Sequence, residues 1–172
     1  MNPSDNAVNK AWLETAGLLA RWILGGTFIF TGGFKALHPV DFLKLVRQYE
    51  LVHSPPALDA IAALLPWFEL ACGLLLVAGI MVRGAALVSF MMLVPFTAAI
   101  LHRALILKTA LAVSLCAVKF DCGCGTGEVF VCHKLLENAL LLGLSLWLIA
   151  GAGRKGCLRY ALKNERVELQ SS

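Results

Sequence analysis

Four apolar runs, separated by short polar breaks, constrain this chain more than any other feature. They fall at about residues 12–36, 57–81, 85–101 and 133–152. About 20 apolar residues in a helix cross the ~30 Å hydrocarbon core of a bilayer. Backbone N–H and C=O groups in lipid must be satisfied inside the segment, which a helix does. The expected fold is therefore all-α, an integral membrane four-helix bundle. Composition agrees, with 59% hydrophobic and 15% charged residues and a mean hydropathy of +0.76. Soluble domains carry about 45–50% apolar and about 25% charged residues.

The breaks define the rest of the expected organisation. Residues 1–11 form a polar N-terminal tail, 12–152 the membrane domain and 153–172 a basic C-terminal tail. The N-terminus lacks a basic n-region, and the first apolar run is too long for a signal-peptide core, so it is expected to stay as a membrane helix. Gly25-Gly26 and Gly32-Gly33 lie seven residues apart on that helix, a spacing that lets a neighbouring helix approach closely. Pro39 disfavours helix at His38. From Asp41 to Val52, apolar Phe42, Leu43, Leu45, Val46, Tyr49 and Val52 alternate with Lys44, Arg47, Gln48 and Glu50. This reads as a short amphipathic helix lying in the interface plane. Pro66 sits inside the second span, and Pro95 marks an expected kink in the third. Residues 102–119 leave three readings open: a continuation of the third helix, a re-entrant segment or a surface segment.

Charge limits function and suggests orientation. The net charge of +4 is scattered, with no basic stripe interleaved with exposed aromatics, so nucleic acid is not an expected partner. The bilayer is. Four spans put both termini on one side. The basic cluster after the fourth span favours cytoplasmic termini in the plasma (inner) membrane, with the loop before the fourth span periplasmic or extracellular. Arg21 lies roughly 14 Å into the first span and Glu69 roughly 18 Å into the second from the other side. Their levels nearly coincide, which suggests an Arg21–Glu69 pair. Such a pair is either a structural lock or a proton- or quinone-contacting site. Quinone is the one cofactor this reading allows. Lys35 and Glu137 fall nearer the loop, as a second pair or as snorkelling side chains. Asn138 can bridge them.

Between the third and fourth spans runs Phe120-Asp121-Cys122-Gly123-Cys124-Gly125-Thr126-Gly127, with Cys132 shortly after. Gly123 lets the two flanking sulfurs approach. A disulfide closing so small a ring is labile, the property of redox-active pairs. Lys119, Asp121 and Glu128 are placed to tune the thiols. Cys122 and Cys124, with Cys132 resolving a mixed disulfide, are the candidate catalytic residues. A structural disulfide is one alternative. A metal centre using Cys132-His133 is another, although the spacing fits zinc and iron–sulfur patterns poorly, and no metal ligand is assigned. Cys72 and Cys116, lone in apolar surroundings, read as small hydrophobes.

Several of these residues together resemble the DoxX/MauE family of four-helix membrane proteins. They are Arg21 with Gly25-Gly26, Phe28-Ile29-Phe30-Thr31-Gly32-Gly33-Phe34-Lys35, Pro66-Trp67-Phe68-Glu69-Leu70 with Gly73, Arg83, Cys122-Gly123-Cys124-Gly125 and Glu137-Asn138. The Cys-Gly-Cys loop moves the match toward MauE. The resemblance implies a role in methylamine utilisation, forming or transferring disulfides during maturation of methylamine dehydrogenase. DoxX-like relatives imply thiosulfate:quinone oxidoreduction instead. The family loop commonly reads Cys-Gly-Cys-Phe-Gly, whereas here Gly125-Thr126-Gly127-Glu128 follows. The expected function is a membrane thiol–disulfide oxidoreductase acting on a soluble or membrane partner that carries a thiol or disulfide. The alternatives are a non-enzymatic anchoring subunit of a redox complex and a quinone-reactive subunit of sulfur oxidation.

Overall fold

The structure is a computed structural model that describes residues 3–49, 54–111, 114–121 and 127–151. Its elements are α1 (Pro3–Leu37), α2 (Pro39–Gln48), α3 (Pro55–Ala78), α4 (Val82–Leu111), a single 3-10 turn (Leu115–Ala117), β1 (Lys119–Asp121), β2 (Glu128–Phe130) and α5 (Val131–Ile149). Trp12–Leu37, Pro55–Ala78, Val82–Ala110 and Val131–Ile149 are long and apolar enough to cross a membrane. Protein buries only 28–33% of the most apolar window in each. The remaining surface carries exposed residues such as Trp22, Phe30, Trp67, Phe68, Leu136 and Leu140. Patches of this size are not tolerated in water, and lipid is the solvent they suit.

The helix boundaries follow local chemistry. α1 stops at Leu37 because His38 precedes Pro39 and leaves the helical region. α2 then turns on its own axis and buries Phe42, while Asp41, Lys44 and Arg47 stay exposed. At the end of α3, Gly79 adopts φ 73° and donates to Leu76 O, and Ile80 donates to Leu75 O. This paired closure satisfies terminal carbonyls and needs a left-handed residue, which glycine supplies at no steric cost. It turns the chain into α4 within three residues.

The packing is pairwise. α1 lies mainly against α3, and α4 against α5. A Cβ on Gly25 would lie 2.9 Å from Gly73 O, and one on Gly32 would lie 2.9 Å from both Pro66 O and Leu70 N. At Gly26 and Gly33 a Cβ would meet nothing within 4 Å. Thus Gly25 and Gly32 form the crossing with α3, and their neighbours do not. α5 presents a single buried stripe of Val131, Lys134, Asn138, Leu141, Ser145 and Leu148.

Two features depart from the expected organisation. α1 is helical from Pro3, inside the expected tail. α4 continues to Leu111, which resolves the first half of residues 102–119 in favour of a continued helix. In the second half the described residues form the 3-10 turn Leu115–Ala117 and lead into β1 at Lys119, which with β2 makes a two-stranded antiparallel hairpin, the one strand pair of an otherwise all-α chain among the described residues. It pairs Lys119 with Phe130, Phe120 with Val129 and Asp121 with Glu128. Its base sits on a small apolar cluster of Ala104, Val118 and Val131.

Candidate functional site

The sequence brings two polar features to the loop end of the bundle. The first is buried. Lys35, in the last turn of α1, is 2% exposed, and its Nζ donates to both carboxylate oxygens of Glu69 at 2.6 and 2.9 Å. The rings of Phe96 and Phe42 lie 4.9 and 5.2 Å from the same Nζ. Their negative faces add attraction in a site away from water. The close seat of Gly32 against the backbone around Glu69 brings the two helices within reach of this pair.

Glu69 therefore pairs with Lys35, and the expected Arg21–Glu69 pair is corrected. Arg21 is 1% exposed and donates from Nε to Leu76 O at 3.0 Å and from Nη2 to Val77 O at 3.3 Å. These are among the last carbonyls of α3, which lack partners within the helix and stand at its negative end. The guanidinium gives Leu76 O, which already accepts from Gly79 N, a second donor, and it supplies a donor to Val77 O. Along α1, Arg21 and Lys35 lie 14 residues apart, roughly 21 Å, so each cation serves a different level of α3.

Glu137 accepts from Lys134 Nζ at 2.9 Å, so it does not pair with Lys35. Lys134 is buried and stands on the same stripe of α5 as Asn138, whose Nδ2 donates to Thr97 Oγ1 at 3.2 Å. Lys134 and Thr97 were missed as site residues. The signal for Lys134 was its spacing of four from Asn138. Lys35, Glu69, Lys134 and Asn138 line one cavity of about 30 Å³. That is room for a molecule the size of water. The cluster links α1, α3, α4 and α5 with balanced charge.

The second feature is the hairpin. Cys116, in the 3-10 turn before β1, and Cys132, in the first turn of α5, form a disulfide with Cα atoms 4.9 Å apart. Cys116 is exposed, so its reading as a buried small hydrophobe is corrected. The bond ties the start of β1 to the end of β2, where Val131 N also donates to Val118 O at 3.1 Å. Cys132 is thereby engaged in a pair that does not include Cys122 or Cys124. A sulfur in a disulfide is also not a thiolate donor, so Cys132 is not a metal ligand in this state. Cys122 and Cys124 lie outside the described residues, on the segment joining Asp121 to Gly127. Cys72 is a buried free thiol in the core, as a small hydrophobe.

Residues 13–151 match the model of the family described as methylamine utilisation protein MauE. The chain belongs to the MauE family. The match spans all four membrane helices, the buried polar cluster and the whole hairpin, so both features lie within the MauE domain. No curated protein and no solved structure matches the chain. The chain is a multi-pass membrane protein of a family associated with methylamine utilisation.

Proposed function

We propose that this MauE-family chain is a membrane thiol–disulfide relay. Cys122 and Cys124 exchange a disulfide with a partner protein at the loop end of the bundle. One observation carries the reading: the Cys116–Cys132 bond fastens the base of the hairpin and leaves Cys122 and Cys124 as the remaining cysteines of the loop. A fixed base and a glycine-rich connection suit a pair that must meet another protein's sulfurs.

In the exchange, a partner thiolate attacks the Cys122–Cys124 disulfide and forms a mixed disulfide. The partner's second thiolate displaces it. The partner's two thiols are oxidised to a disulfide, and Cys122 and Cys124 are reduced to two thiols. A second protein disulfide reverses the step. Such exchange persists where disulfides persist, in an oxidising compartment. A disulfide at the hairpin base supports placing that face in the periplasm or outside the cell, with the termini cytoplasmic in the plasma (inner) membrane. The family description supports a partner within methylamine utilisation. In this reading, Arg21, Lys35, Glu69, Glu137 and Asn138 hold the bundle and carry no electrons.

Trapping free thiols in membranes with a mass-shifting alkylating reagent tests the proposal. Cys122 and Cys124 are expected to change state together when a reduced dithiol protein is added, and Cys122→Ser is expected to abolish the partner's change. If the pair never changes state and Cys122→Ser leaves the partner's redox state unaltered, the relay is lost. A complex that survives loss of both cysteines would then make the chain an anchoring subunit.

A further inference from the structure

The cleft beside the hairpin holds charges that the relay reading does not use. It has a volume of about 320 Å³ and is bounded by Gln48 and Tyr49 at the end of α2, Arg103 on α4, Lys119 on β1 and Glu128 on β2. That is the size of a small-ligand site. Among the described residues, Arg103, Lys119 and Glu128 form no ion pair, whereas Lys35, Lys44, Arg47 and Lys134 each have a carboxylate partner. Lys119 Nζ is held over the Phe130 ring at 4.6 Å, which fixes its direction without neutralising it.

Among the described lining residues, two cations stand against one carboxylate, a net positive charge. The guanidinium of Arg103 presents a planar fork that matches a carboxylate. Gln48 and Glu128 offer acceptors for backbone N–H groups, as an extended polypeptide requires. The wall of the cleft is continuous in sequence with the reactive pair: Lys119 stands three residues before Cys122, and Glu128 four after Cys124.

We infer that this cleft between α2, α4 and the hairpin binds an acidic segment of the partner polypeptide next to the cysteine that the partner presents. The inference rests on the relay reading and names what that relay selects. Complementary charge acts mainly on encounter and register, so it governs the rate of exchange with one partner over another.

The test uses the full chain, reduced, in phosphatidylcholine nanodiscs. The probes are three short peptides, each a disulfide-linked dimer with its cysteine flanked by Glu, Ser or Lys. In each exchange, Cys122 and Cys124 are oxidised to a disulfide and the probe is reduced to two thiols, followed by mass spectrometry. The Glu probe is expected to react about tenfold faster than the Lys probe at low salt, the lower end of electrostatic steering. The ratio is expected to fall toward one at high salt, where the Debye length shrinks to about 3 Å. Arg103→Gln with Lys119→Gln is expected to bring the ratio to about one, and Glu128→Gln alone to raise it. The opposite directions keep the test decisive should the double variant fold poorly. Rates independent of probe charge would overturn the site and leave the relay standing. A Glu preference that vanishes when anionic lipid is added to the disc would assign the cleft to lipid phosphate, and would also overturn it. No oxidation by any probe would remove the relay and this inference together.

Discussion

Lys35 and Glu69 show how a single pair can organise a membrane bundle. Both are buried, and every carboxylate oxygen of Glu69 is met by the ammonium. Removing one partner leaves an uncompensated buried charge, which costs about 3–5 kcal/mol, whereas replacing both with apolar groups is often close to neutral. Lys35→Met and Glu69→Leu are each expected to lower thermal stability in detergent by that amount, and the double variant to recover most of it. A double-mutant cycle measures this, and simple addition of the two losses would contradict the pairing. The need for buried partners was legible from the sequence, because Arg21, Lys35, Glu69 and Glu137 stand in or at the ends of apolar runs. The pairing was not. Counting residues from a helix end sets depth in lipid, but it does not set register between helices. A long side chain such as Arg21 can also reach the carbonyls of Leu76 and Val77. Lys134 escaped notice for a related reason: near the start of a span it resembles an interfacial charge, and only the observed stripe of α5 shows it turned inward.

At the scale of elements, the spans could be read because apolar length is a strong signal, and the interfacial helix because its Phe42 face alternates with charges. The end of α4 could not, since an apolar stretch after His102 suits a helix, a re-entrant loop or a surface segment equally. The hairpin was hidden because its strands have three residues each and depend on a cross-link rather than on pattern. The glycine pairs were read as one face, yet only Gly25 and Gly32 touch α3. Gly32→Ala would push a methyl group against backbone atoms of Pro66 and Leu70, an overpacking cost of about 1–3 kcal/mol. Gly33→Ala meets nothing and is expected to stabilise by up to about 1 kcal/mol through helix propensity. Unfolding of the two variants side by side checks the assignment, and equal losses would refute it. The hairpin makes its own prediction. The Cys116–Cys132 bond spans 16 residues, and loops of that size gain about 3 kcal/mol from cross-linking. Cys116→Ser with Cys132→Ser should speed amide exchange across residues 115–131 by roughly a hundredfold while α1 and α3 keep their protection. Unchanged exchange would mean that the bond contributes nothing to the hairpin.

For the whole molecule, the orientation proposed above draws its support from the buried pairs and the disulfide together. Read from sequence alone, the basic residues balance across the membrane. Lys10, Arg83, Arg154, Lys155, Arg159, Lys163 and Arg166 stand toward the termini, and Lys35, Lys44, Arg47, Arg103, Lys108, Lys119 and Lys134 toward the loop. The fold removes two from the loop side, because Lys35 and Lys134 are buried in ion pairs inside the bundle. Seven then oppose five, and the excess lies on the side that the positive-inside rule assigns to the cytoplasm. The Cys116–Cys132 bond argues for the same orientation independently, since it needs an oxidising compartment to persist. A fluorescent protein fused after Ser172 is therefore expected to fold and fluoresce in the cytoplasm. In intact cells, after treatment with a membrane-impermeant reductant, an impermeant maleimide is expected to label Cys116 and Cys132. A dark fusion, together with labelling only after permeabilisation, would invert the topology. It would also place the hairpin among cytosolic reductants, where its disulfide could not last and a relay through Cys122 and Cys124 would have no oxidising side to draw on.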